Sequence, residues 1–163
     1  MLTHTVTLCI VNHNNLFREL IADFFSRQKN IKTTIESANT IDLIDKIRKS
    51  PVDIILLDLL TPKLSSIDII ATIQKEFPNI KIIVISIHTD MHTVISLLDL
   101  GIFAYLSNEE SAQHLLQAVV AASENRIYKN NLYTEALYLN KENMARKEGE
   151  HYLSTIHLKR LYI

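Results

Sequence analysis

The chain has 163 residues, 47% of them hydrophobic, and a formal net charge of -1. That length suits one domain with a sizeable core, and the near-neutral balance gives no whole-chain pull toward nucleic acid or an acidic membrane. Glycine occurs only at Gly101 and Gly149, whereas a P-loop, a dinucleotide fingerprint and a hydrolase elbow each need several close glycines, so those nucleotide and hydrolase chemistries are excluded.

The N-terminus shows no basic flank before an apolar stretch, and no apolar run approaches the roughly 18 residues of a membrane helix, so a soluble, cytoplasmic protein is expected. The single cysteine, Cys9, cannot form an internal disulfide and fits a reducing compartment. It lies in an apolar strand pattern, where a small buried side chain is the expected role.

Short β-like runs alternate with helical patterns along the chain. Residues 5–11 read as a first strand. Residues 16–28 read as a helix, capped by Asn14 or Asn15, with Leu16, Leu20 and Phe24 at helical spacing. Residues 32–38 form a second strand, and 40–49 a helix capped by Thr40 before the break at Pro51. Residues 53–58 (DIILLD) are a continuous apolar run ending in acid, the pattern of a central strand covered on both faces. Residues 66–77 form a helix, with Ser65 and Asp68 placed like a capping box. Residues 81–87 are a fourth strand, and 91–100 a helix stopped by Gly101. Residues 104–106 are a short fifth strand, and 111–125 a further helix. Repeats of this length imply a parallel sheet with right-handed crossovers, an α/β fold. Phe24, Phe25 and Phe77 are expected in its core.

After Asn130 the pattern changes, and the reading divides the chain into a domain at 1–130 and a C-terminal tail at 131–163. Residues 132–139 are apolar at helical spacing, 141–151 are dense in charge and solvated, and 153–163 are apolar again through Leu153, Ile156 and Leu161. A tail helical in part is expected, packed on the domain or on a partner.

In open parallel sheets ligands bind beyond the C-terminal ends of the strands. The sequence places Asn12 and His13 after the first strand, Asp58 at the end of the third, Ser86 and His88 at the fourth, and Asn108 after the fifth. An Asp that closes a buried run sits at the rim of the core, as a loop cap or as a functional carboxylate.

Four segments in order, IVNHNNLFREL, DIILLDLLTPKLSSID, IIVISIHTD and GIFAYLSN followed by ENRIY, give the chain a specific likeness. Over roughly residues 5 to 130 it resembles the receiver domain of bacterial two-component response regulators, in the subfamily with a LuxR-type output domain. The resemblance implies a five-stranded, doubly wound, flavodoxin-like fold. It implies that Asp58 stands at the phosphoacceptor position, that Thr61 and Pro62 match the turn after it, and that Ser86 and Tyr105 match the two switch residues.

Three positions depart from the family pattern. Its two adjacent acidic residues are here Asn12 and His13, and its lysine after the fifth strand is here Asn108. Receiver phosphorylation needs Mg²⁺, which prefers oxygen ligands including carboxylates. Asn12 offers a neutral amide oxygen, and His13 offers nitrogen, a poor ligand for so hard an ion. Loss of the metal removes several kcal/mol of transition-state stabilisation, and loss of the lysine about 1.5–3 kcal/mol. Weak or absent Mg²⁺ binding, no other cofactor and no enzymatic activity are therefore expected.

His88 and His92 stand four apart, as in zinc helices, but the central Glu is missing, and the expected role is an exposed loop and helix start. Residues 131–163 are too few for the family's helix-turn-helix output, and Arg146, Lys147, Lys159 and Arg160 are offset by Glu142, Glu148 and Glu150, so nucleic-acid binding by this chain alone is not expected. Three readings stand. The first is an atypical receiver acting by protein contact. The second is a phosphoacceptor served by a histidine kinase at Asp58. The third is a DNA-binding regulator with a reduced output element. Apolar Val94, Ile95, Leu97 and Leu98 exceed what one helix face can bury, so a homodimer through that helix or through the tail is expected.

Overall fold

The computed structural model describes residues 4–59, 64–87 and 90–161, and the side chains of 64–66 and 149–161 lie outside that description. Strands β1 (Val6–Val11), β2 (Ile31–Ser37), β3 (Ile54–Leu59), β4 (Lys81–Ser86) and β5 (Ala104–Ser107) alternate with helices α1 (Asn15–Ser26), α2 (Leu43–Lys49), α3 (Leu64–Glu76), α4 (Met91–Asp99) and α5 (Ala112–Ser123), and α6 (Asn131–Leu161) follows. The five strands pair in parallel in the order β2-β1-β3-β4-β5. This is the doubly wound α/β sheet expected from the alternating pattern.

Successive strand residues point to opposite faces, and the core divides accordingly. Cys9, Val11, Ile55, Leu57, Leu59, Val84 and Tyr105 pack on one side with residues of α2, α3, α4 and α6. Leu8, Ile10, Ile54, Leu56, Ile83, Ile85 and Leu106 pack on the other with α1 and α5. Burial on both faces is why β3 reads as an unbroken apolar run. Cys9 is fully buried, and its thiol pKa is pushed up to about 12 by that burial.

Several expected details shift. The buried stripe of α1 is Ile21 and Phe25, with Phe17 and Phe24 beside it, while Leu16 and Leu20 are 65% and 57% exposed. The sequence doubles its apolar residues here, so two adjacent stripes fit a helix equally well, and the one carrying Phe25 takes the core. Asn14 is the N-cap of α1: its side chain accepts from the Phe17 N–H. Thr40 does not cap α2, which begins at Leu43 after a turn in which Asn39 Oδ1 accepts from the Ile41 N–H at 2.9 Å. Ser65 falls inside α3 instead of capping it. Gly101 does stop α4: its φ of 80° suits glycine, and its N–H donates to the Leu98 carbonyl at 2.9 Å.

The tail is helical over Asn131–Leu161, in line with the expected helical tail. Tyr133 and Ala136 are buried in the same cluster as Val94 and Leu97 of α4, and Ile95 and Leu98 are partly buried against it. The apolar excess of α4 is thus partly covered within the chain, and Ile95 and Leu98 stay partly exposed. Residues 141–148 are exposed, as their charge density requires. Among the described residues, no helix is long and apolar enough to cross a membrane.

Candidate functional site

Strand order reverses between β1 and β3: from β1 the chain steps outward to β2, then returns to the other side as β3. At such a switch point the loops diverge and leave a crevice beyond the strand ends. A cavity of about 200 Å³ opens there, lined by Asn12, His13, Asn14, Phe17, Asp58, Ile85, Ile87 and Asn108. Four of the residues singled out in the sequence therefore meet in one place.

Asp58 is the penultimate residue of β3, not its end, so its backbone is held in register opposite Ile85 while its carboxylate reaches the cavity. The side chain is 15% exposed, and His13 Nδ1 lies 3.4 Å from its Oδ2. Burial raises the Asp58 pKa above the ordinary carboxylate value, and the charge and hydrogen bond of His13 work against that rise.

Asn12 is 3% exposed and serves the backbone. Its Oδ1 accepts from the Asn14 N–H at 2.8 Å, an Asx turn that leads directly into the cap of α1. Its carbonyl accepts from Arg18 Nη1 at 2.7 Å. Arg18, which motif reasoning passed over, also lies 3.8 Å from Glu36 and so fastens the end of β1 to β2. Its position within the IVNHNNLFREL segment was the available signal.

Among the described side chains around Asp58 the donor set is thus one carboxylate, one imidazole and an amide oxygen already engaged by an N–H. Such a set suits Mg²⁺ poorly, since that ion wants several free oxygens in an octahedron. Among the described residues, no group of three or more His, Cys, Asp and Glu side chains is placed to hold a metal ion. His92 is exposed on α4, whereas His88, Thr61 and Pro62 lie outside the described residues.

Ser86 and Tyr105 lie on β4 and β5 and are not among the residues that line the cavity. Ser86 is 1% exposed, and its hydroxyl donates to the Leu59 carbonyl at 3.1 Å. Tyr105 is fully buried and hydrogen-bonded with Ser86. Burial raises its pKa, the Ser86 contact opposes the rise, and the Asp90 charge adds to it. Asn108 follows β5, with its N–H donating to the Ser86 carbonyl at 3.1 Å, and its side chain is exposed at the cavity wall.

Known proteins resemble this chain in sequence and in fold. The chain is 24% identical over 123 residues to the transcriptional regulatory protein DegU of Brevibacillus brevis, which covers 76% of this chain and 52% of DegU. It thus spans about half the length of that relative. A LuxR-family two-component response regulator from Aurantimonas superposes with a TM-score of 0.75 at 18% identity, covering 84% of this chain and 98% of that one. The RcsB response regulator of Salmonella typhimurium, a structure described for its conformational dynamism in DNA interaction, gives 0.74 at 18% identity, over 83% of this chain and 68% of that one. The response regulator receiver domain matches residues 8–120, from within the first strand into the fifth helix, and this chain belongs to that family.

Proposed function

We propose that this chain is an atypical receiver: a signalling module of two-component type, not an enzyme, that controls a protein partner by contact, without ordinary Mg²⁺-dependent phosphotransfer. The observation that carries the reading is the pairing of Asp58 with His13 beside an Asn12 whose amide oxygen is already bound to the Asn14 N–H. Asp58 keeps the phosphoacceptor position, Ser86 and Tyr105 keep the switch positions, and Asn12, His13 and Asn108 stand where the metal-binding and lysine groups would be. A calorimetric or NMR titration with Mg²⁺ tests it. No saturable binding at millimolar metal is expected. Binding in the sub-millimolar range, abolished in Asp58→Asn, overturns the reading.

One observation favours a second reading. The Asp58 carboxylate does reach an open cavity, so a histidine kinase with relaxed metal needs has an acceptor to use. Phosphorylation of Asp58 by a small phosphodonor would promote it. The third reading, a regulator of transcription, draws on the name of DegU and the description of RcsB. The exposed part of α6 carries Arg146 and Lys147 next to Glu142 and Glu148, a balanced face with little for phosphate to hold. DNA retention that falls steeply with salt would favour that reading over contact with a protein. A division at residue 130 and a homodimer held by the α4 face or by the tail are part of the proposal; α6 already occupies part of the α4 face, which favours the stretch beyond Asn140 as the pairing element.

A further inference from the structure

The first part of α6 is seated where the apolar surplus of α4 would otherwise meet water. Tyr133 is 3% exposed and Ala136 fully buried, both in the cluster that holds Val94, Leu97 and Tyr105. Leu132 and Leu137 pack partly buried beside them. Residues spaced in this way fall on one helix face, so a single stripe makes the contact.

Polar contacts fix both ends of that stripe. At the start, Asn130 Nδ2 donates to the Tyr105 carbonyl at 2.9 Å, and Asn130 Oδ1 accepts from the Tyr133 N–H at 2.8 Å. Asn130 also contacts Glu110 in the loop before α5, and Glu110 lies 3.1 Å from His114. At the far end, Asn140 Nδ2 donates to Oδ1 of Asp99, the last residue of α4, at 2.9 Å. Immediately beyond, residues 141–148 are exposed. Among the described side chains the docked segment is therefore bounded, since the Asn140–Asp99 contact is followed directly by the exposed stretch 141–148.

We propose that residues 131–140 of α6 are a built-in occupant of the α4–β5 face, which close that face to partners and hold Tyr105 inward against Ser86 until α6 is lifted. Tyr105 cannot turn outward without disturbing the cluster it shares with Tyr133 and Ala136, and Asn130 grips the backbone of the same residue. The switch residues are thus set by the tail, whatever happens at Asp58. The inference goes beyond the reading of the site and does not depend on whether Asp58 accepts phosphate.

Hydrogen exchange on the full chain, resolved by peptide mass, tests this. Amides of 132–140 should exchange as slowly as those of α4 and β5, and at least about tenfold more slowly than 142–148. Equal rates in 132–140 and 142–148 would overturn the proposal. In Ala136→Glu, which buries an unpaired charge under α6, exchange in 132–140, α4 and β5 should rise together by about tenfold or more, with β1 and β3 unchanged. Tyr105 should become reactive toward tyrosine nitration, mapped by peptide. Release of 132–140 with α4, β5 and Tyr105 unchanged contradicts the coupling. The milder pair Asn130→Ala with Asn140→Ala gives the same readouts if the glutamate variant does not fold.

Discussion

His13 Nδ1 stands 3.4 Å from Asp58 Oδ2, so the loop after β1 turns an imidazole onto the carboxylate near the end of β3. Burial and this contact act on Asp58 in opposite directions, and burial is the larger. With His13 half exposed, solvent screens its charge. The site therefore contains a carboxylate that folding has made harder to ionise.

Stability should record that cost. The folded state keeps the Asp58 proton to higher pH than the unfolded chain, whose carboxyl has the ordinary pKa of about 3.8. Between the unfolded and the raised folded pKa the native state binds more protons, so this group's contribution falls as pH rises through that window. Asp58→Asn should raise the denaturation midpoint at neutral pH, and the gain should vanish below the ordinary carboxylate range. Urea melts at both pH values check this. A destabilised Asp58→Asn at neutral pH would mean that the ionised carboxylate is held by more than His13.

Restoring acid at the crevice should exchange stability for metal affinity. In Asn12→Asp with His13→Asp, the carboxylate at 12 can still accept from the Asn14 N–H with one oxygen and offer the other. Three carboxylates then share the crevice, which should cost about 1–3 kcal/mol without metal. Added Mg²⁺ should recover this, by about 1.4 kcal/mol for each tenfold excess over Kd. Thermal melts with and without Mg²⁺ measure both effects. The wild-type midpoint should not move.

Asn130 both caps α6 and ties it to Tyr105. Asn130→Ala should cost about 1–2 kcal/mol by denaturant midpoint, the range for a lost N-cap. A loss below about 0.5 kcal/mol, the usual size for a surface change, would mean that the contact is passive.

Pairing should depend on the outer part of α6. Sedimentation at low micromolar concentration should give a dimer for the full chain and a monomer for a chain ending at Asn140. A monomer in both cases would leave a different protein as the partner of the exposed helix.

Much of this was legible in the residues. Alternating β-like and helical runs set the parallel sheet, and DIILLD marked its central strand because burial on both faces leaves no polar alternation. Asn12, His13, Asp58 and Asn108 could be assembled because strand ends in such a sheet converge on the switch point. Other features were not local. Leu16 and Leu20 fit a helix stripe as well as Ile21 and Phe25 do, and only the neighbouring sheet decides between them. That Asn12 spends its amide oxygen on Asn14, and that α6 covers α4, depend on contacts that spacing alone does not encode.

Phosphotransfer to Asp58 tests the central claim most directly. The full chain is incubated with acetyl phosphate and Mg²⁺, and its intact mass is followed alongside Asn12→Asp/His13→Asp/Asn108→Lys. The wild type should gain no stable phosphoryl group, whereas the triple variant should gain one that is lost with Asp58→Asn. Efficient labelling of the wild type at Asp58 would contradict the account and make this a working phosphoacceptor.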